Sequence, residues 1–449
     1  MSTMPLSGAR HAFHKTRGLR RTVLAAIAFG SIAAHADTTD TADKTDPAAA
    51  PGLPADCGLS GLTGEVGILA NDFVTTNVIA DVLAGCEVPD LDIVTNLNTE
   101  VRDIQVAALT SDPAAYDAVV TANGSVVPLL NGNLVRPLDE LIAAHGGALS
   151  ERQKISIDGQ VMAIAFMANA QHLVYRQDLL DAIDREPPTT WDEVIEAAEL
   201  LRGRELMRHP IAGTYKVGFN LALEFINHYL ALGGDLFVGN TPEPALVNDI
   251  GVAALERMKR VTELMAPDFL TMDTKGVVAE MEQGRAAFAN LWGSSAGSVI
   301  DERGAAENVV EHLRLAAAPL VGEPGRPAAT LWWDGFTIAR NTDRASAEAA
   351  FRALTATTGV EVANAYGDAA VWLAEGYAST PTDAGVLATV EAGAAPYPIL
   401  PWMSLMNGAL GAELVEFFQG GEDARTALAD VEASYRTQAQ GEGYLDAAR

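Results

Sequence analysis

Three times between Gly64 and Leu130 a short apolar run gives way to a helix-period run, and that alternation restricts the chain to few architectures. The runs Gly64–Ala70, Asp92–Thr95 and Tyr116–Val120 read as short, buried strands. Helical spacing follows each one. It covers Asn77 to Leu83, then Asn98 to Leu109 with apolar residues at Val101, Ile104, Ala108 and Leu109, and a further turn begins at Val126–Leu130. Alternation of this kind builds mostly parallel sheets with helices on both faces, an α/β fold. Ligands bind such sheets beyond the carboxyl ends of the strands. Asn71, Asp72, Asn96 and the Asn123-Gly124-Ser125 turn fall there, so the rim of a cleft is expected at those positions.

The amino terminus predicts export. Arg10, Lys15, Arg17, Arg20 and Arg21 form a basic stretch without an acid, Thr22 to Ala34 is apolar, and Ala34-His35-Ala36 is a small-x-small cleavage site. Residues 1–36 therefore read as a cleavable secretory signal, too short to span a membrane. Leu19 and Thr22 are poor flanks for a twin-arginine signal, so general secretory export is expected. Cys57, the first cysteine, lies far beyond the apolar run and lacks the small neighbours of a lipidation site, which predicts a periplasmic protein that is not a lipoprotein. Residues 37–55, rich in Asp, Thr, Ala and Pro, read as a disordered leader. Two cysteines in an exported chain predict one disulfide, Cys57–Cys86.

Charge narrows the partners. The chain has 30 basic and 59 acidic residues, a net charge of −29; removal of residues 1–36 takes five basic groups and gives −34. Such a surface repels phosphate backbones and anionic lipid, which argues against nucleic-acid and membrane binding. The residues from 56 onward exceed one typical core and suggest two domains.

Farther along, an Asp158-Gly159 turn leads into an apolar strand from Gln160 to Phe166. Leu173–Leu180 reads as strand then helix, and Pro188-Thr189-Thr190-Trp191-Asp192-Glu193 opens another helix. This order resembles the family 1 extracellular solute-binding proteins, the sugar-type receptors of ABC importers. Further segments are similar to the same family: Asp112–Val120 to its Pro-x-Tyr-Asp-Val-Val strand, Asn133–Leu141 to its Leu-x-Pro-Leu-Asp-Asp-Leu segment, and Gln283–Trp292 to a stretch ending on a ligand-stacking tryptophan. Pro319–Gly325 and Leu331–Ile338 resemble the family's return crossing. Ala165 departs from the pattern, since a proline usually stands there. The resemblance implies a type II periplasmic binding fold, two α/β lobes with the ligand cleft between them. Lobe one is expected at 56–165 with 320–365, and lobe two at 166–319 with 366–449.

A sugar site needs aromatic faces for the ring and planar polar groups for its hydroxyls. Of six tryptophans, Trp191 is expected in the core and Trp292 in the cleft, where the resemblance puts a stacking residue. Trp332 and Trp333 are adjacent on a strand, so they face opposite ways and only one can line the cleft. Trp402 lies where the family's last helix begins near the ligand. The polar candidates are Asn71, Asp72, Asn96, Asn123, Asn169, Asn220, Ser294 and Asp334.

Rival readings have weaker support. Gly293-Ser294-Ser295-Ala296-Gly297 fits the Gly-x-Ser-x-Gly pattern of a serine hydrolase, but His312 is the only histidine after it and comes too early for a triad on that fold. No zinc, nucleotide or dinucleotide motif is present, so no metal or cofactor is expected. The expected protein is a monomeric, non-enzymatic receptor that binds a small carbohydrate or polyol and delivers it to an ABC membrane permease. A periplasmic sensor or adaptor of the same fold is the alternative.

Overall fold

A computed structural model describes residues 51–446 apart from 240 and 302–304. The expected signal peptide and the leader up to residue 50 lie outside the described residues. Fourteen strands are seen among them: β1 Gly64–Ala70, β2 Leu91–Leu97, β3 Ala118–Ala122, β4 Lys154–Ile157, β5 Gln160–Asn169, β6 Gln171–Arg176, β7 Ile211–Gly213, β8 Phe288–Trp292, β9 Leu313–Ala316, β10 Leu320–Val321, β11 Arg326–Pro327, β12 Thr330–Ile338, β13 Val371–Trp372 and β14 Ala395–Pro396.

The strands form two principal sheets. The first runs β13-β5-β12-β3-β1-β2, with β4 on β5 and β14 on β12. Within it β1 pairs in parallel with β2 and β3, whereas β12 runs antiparallel to β3 and β5. The second is β7-β8-β6-β9, and β10-β11 is a separate small hairpin. The first three strand–helix units thus appear where the alternation predicts them, with helices at Val74–Ala84, Val101–Thr110 and Val126–Asn131.

Local chemistry explains the landmarks. Asp158 and Gly159 both have left-handed φ (52° and 81°), and the two-residue turn closes a β4-β5 hairpin with Ile157 opposite Gln160. A type I′ turn favours Asp-Gly because both central residues need positive φ. Thr190 caps the helix Trp191–Gly203: its Oγ1 accepts from the Glu193 backbone N–H at 3.2 Å, and the Glu193 carboxylate accepts from the Thr190 N–H at 3.0 Å. Trp191 is 2% exposed and packs 5.5 Å from His228, in the core as expected. Ala165, where the family pattern has proline, sits in β5 opposite Gly335, next to a bulge in β5 at Phe166.

The chain crosses between the two sheets at Ala170, the single residue between β5 and β6. It returns through β10-β11 into β12. Each sheet has its own apolar core. The first buries Val66, Ile68, Phe166, Phe336 and Phe351; the second buries Trp191, Phe225, Tyr229, Leu255 and Leu428. β13 pairs with β5, and Ala369, Trp372 and Ala374 pack into the first core, so the chain is still part of the first half beyond 366; it touches the first sheet once more at β14. Cys57 and Cys86 form the expected disulfide, with Cα atoms 5.5 Å apart, and pin the first described turns to the helix Val74–Ala84.

Candidate functional site

The sheets meet at an aromatic cluster. Trp332, on β12 of the first sheet, is 5% exposed and belongs to the apolar cluster of the second half. Tyr397 lies 4.1 Å from it centroid to centroid, while Trp292 and Phe219 meet it edge-on at 5.7 and 5.8 Å. Edge-to-face arrangements of this kind are the favoured geometry of aromatic rings. Trp333 points to the other face of β12, as the two-residue period requires, and takes no part in the cluster. Trp402 begins the helix Met403–Gln419, and its ring contacts are Phe237 (5.9 Å) and Tyr444 (6.0 Å) instead.

Two glycines permit this packing. A Cβ on Gly124 would meet the Trp332 indole at 2.7 and 2.8 Å, so the turn after β3 approaches the ring only without a side chain. Gly218 has φ 97° and ψ −135°, a conformation open essentially to glycine alone. That sharp entry starts the helix Phe219–Ala231 and puts Phe219 beside the cluster; Asn220, the next residue of the helix, is half-buried.

Trp332 is fixed from behind by a buried polar chain. Its Nε1 donates to Thr330 Oγ1 (2.9 Å), Thr330 donates to Asn227 Oδ1 (2.8 Å), and Asn227 Nδ2 donates to Gln171 Oε1 (2.6 Å). Gln171 Nε2 and Thr214 Oγ1 both donate to Glu224 Oε1, at 2.7 and 2.8 Å. Burial pushes the Glu224 carboxyl up to about 7, against these two hydrogen bonds.

Charge enters from one side. Arg102, in the first turn of Val101–Thr110, lays its guanidinium 3.6 Å from the centre of the Phe219 ring, a cation–π contact between the two halves. The residue is exposed, and desolvation by the protein around it lowers its pKa. Tyr397, Asp334 and Asp103 are the groups in electrostatic reach. Asp334, two residues after Trp332 on the same strand face, has its carboxyl raised to about 7 by burial, with Arg102 opposing the shift.

The remaining polar candidates divide. Asn123 is 2% exposed and donates to the Leu331 carbonyl at 3.2 Å, beside Trp332. Asn169 and Ser294 pair reciprocally: Asn169 Nδ2 donates to Ser294 Oγ at 3.1 Å, and the Ser294 N–H donates to Asn169 Oδ1 at 3.3 Å, next to Trp292. Asn96 instead donates to the Tyr116 hydroxyl at 2.6 Å, within the first half. Asn71 is exposed; Asp72 accepts from Asn77 at 3.0 Å and pairs with Lys275 of the other half at 3.6 Å, at the rim. The glycines of the Gly-x-Ser-x-Gly stretch have packing reasons, since a Cβ on Gly293 would strike Val386 at 2.0 Å and one on Gly297 the Asp368 carbonyl at 2.5 Å.

Arg102, Phe219 and Tyr397 escaped the sequence reading. The strand-end rule reaches Arg102, which follows β2, but charge on a predicted helix looks like a solvated face. A cavity of about 520 Å³ lies apart from this cluster, on the first half between Cys57, His145 and Arg352.

Two sheets joined by crossings, with aromatic and polar side chains converging where they meet, define a two-lobe binding protein. A model of the bacterial extracellular solute-binding protein family matches residues 87–361, more than half of the chain, and the chain belongs to that family. Solved structures share the fold. An ABC transporter solute-binding protein from Agrobacterium radiobacter K84, in complex with ribitol, is 19% identical with a TM-score of 0.74 and covers 85% of this chain and 99% of its own. Maltose-bound T. maritima MalE3 is 16% identical with a TM-score of 0.71, covering 83% and 99%. A solute-binding protein from Agrobacterium vitis S4 with bound D-mannitol is 17% identical with a TM-score of 0.70, covering 84% and 99%. No helix among the described residues is long and apolar enough to cross a membrane.

Proposed function

We propose that this protein is a monomeric periplasmic receptor for a small carbohydrate or polyol, exported by a cleaved signal at 1–36, which delivers its ligand to an ABC permease. One observation carries the reading: Trp292, Trp332, Tyr397 and Phe219 form an aromatic wall between the two sheets, flanked by Asn123, Asp334 and Arg102. Apolar ring faces and planar hydrogen-bonding groups are what a polyhydroxylated ligand requires. Ribitol, maltose and D-mannitol in the structural relatives agree with that chemistry.

Lobe one comprises about 56–165 and 320–374 in this reading, and lobe two the remainder. Trp292 and Phe219 come from lobe two, Trp332 and Arg102 from lobe one, so a ligand touches both sets fully only when the lobes are closed. Its differential affinity selects that state. The permease then recognises the closed form. A thermal-shift screen of the mature protein against sugars, polyols, amino acids and polyamines tests the ligand class. A ligand at about 1,000 times its Kd adds roughly 4 kcal/mol, a shift of some degrees. Hits confined to amino acids or polyamines would overturn the reading.

A further inference from the structure

Arg102 is the anomaly of the cleft. Its ring-facing plane is used by Phe219, but the N–H groups at its edge make no hydrogen bond and no ion pair among the described residues. Arg136 donates to the Ala339 and Arg340 carbonyls, Arg152 to those of Leu373 and Ala374, and Arg176 to the Asp178 carboxylate, whereas Arg102 is the arginine among the described residues that is seated over an aromatic ring of the other half. In a chain with 59 acidic and 30 basic residues, a cation held over a ring of the opposite half, with no carboxylate at ion-pair distance among the described residues, is not a general surface feature.

We propose that the site is built for a sugar acid, an aldonate or uronate, whose carboxylate is held by Arg102 while the sugar body lies against the half-exposed Trp292 ring; the inference rests on the carbohydrate or polyol reading above. With one face stacked on Phe219, the guanidinium is oriented and its planar edge presents the fork that matches a carboxylate in bidentate fashion. A single guanidinium with Asp334 and Asp103 in reach favours one negative charge over two, which selects a carboxylate rather than a phosphate dianion. Asp334, on the strand face of Trp332, is placed to accept from a ligand hydroxyl, and its carboxyl, raised to about 7, readily takes a proton when an anion arrives. The Asn123 and Asn169 amides beside Trp332 and Trp292 are neutral and add no competing charge.

Calorimetry on the mature protein with matched pairs tests this: galacturonate against galactose, glucuronate against glucose, gluconate against sorbitol. At least one acid is expected to bind about tenfold or more tightly than its neutral partner, the worth of one charge-assisted bidentate contact. That preference should shrink with added salt, and Arg102→Met should bring the ratio near one. Circular dichroism checks that this exposed position has not altered folding. A neutral member that binds as tightly as its acid overturns the inference and leaves the carbohydrate reading standing. No binding by any member of any pair, beside a neutral sugar or polyol hit in the thermal-shift screen, overturns the inference alone; hits confined to amino acids or polyamines overturn both.

Discussion

Glu224→Gln isolates one buried charge whose cost is readable from the structure. Glu224 is 1% exposed, and its Oε1 accepts from Gln171 and Thr214. Burial raises its pKa from 4.5 to about 7, so the folded state holds the proton more tightly than the unfolded chain does. Stability from this group is therefore fully present below pH 4.5, declines as pH rises towards 7, and is level above it. At about 1.4 kcal/mol per pKa unit, the shift amounts to about 3 kcal/mol lost between those limits. A glutamine side chain has nearly the same shape, its amide oxygen accepts the same two hydrogen bonds, and it never ionises. Urea unfolding from pH 5 to pH 8.5 should find the variant close to the native protein at pH 5 and more stable by up to about 3 kcal/mol at pH 8. The difference between the two curves cancels other titrating groups, Asp334 included. Parallel curves across that range would refute the assignment of a buried, neutral Glu224.

Three other perturbations probe the cleft and its support. Gly124→Ala places a Cβ at 2.7 Å from an indole that is already held by Thr330 and Tyr397, so about 1–3 kcal/mol of overpacking is expected, with a blue- or red-shifted Trp332 emission; an unchanged melting temperature and spectrum would count against the packing. Trp292→Ala should weaken ligand binding by about 1–3 kcal/mol in calorimetry if its ring stacks on the ligand, and unchanged affinity in a folded variant would remove it from the site. Reducing Cys57–Cys86, which closes a span of 29 residues, should lower stability by roughly 3–4 kcal/mol on the chain-entropy model, and mass spectrometry finding both thiols free in the native protein would end that account.

Local signals make much of the architecture legible in the amino-acid sequence. The Asp158-Gly159 turn, the Thr190–Glu193 cap and the strand–helix order from Gly64 to Leu130 each depend on residues within a few positions of one another, and each appears in place. Strand ends also located part of the candidate site, since Asn123, Asn169, Trp292 and Asp334 lie at the ends or bulges of strands. Asn96 looks the same in sequence, but Tyr116 claims its amide, a partner set by the register of β1 between β2 and β3.

Sequence alone thus determined the elements, the two-lobe family, the disulfide and the choice between two adjacent tryptophans as an either-or. Tertiary structure decided which of the pair, Trp332, meets the other half, because that depends on how β12 lies between β3 and β5. It also brought Arg102 onto Phe219 and Tyr397 onto Trp332. Periodicity reports which side of an element is buried; what it is buried against is fixed only when distant segments pack, and the cleft consists of such encounters.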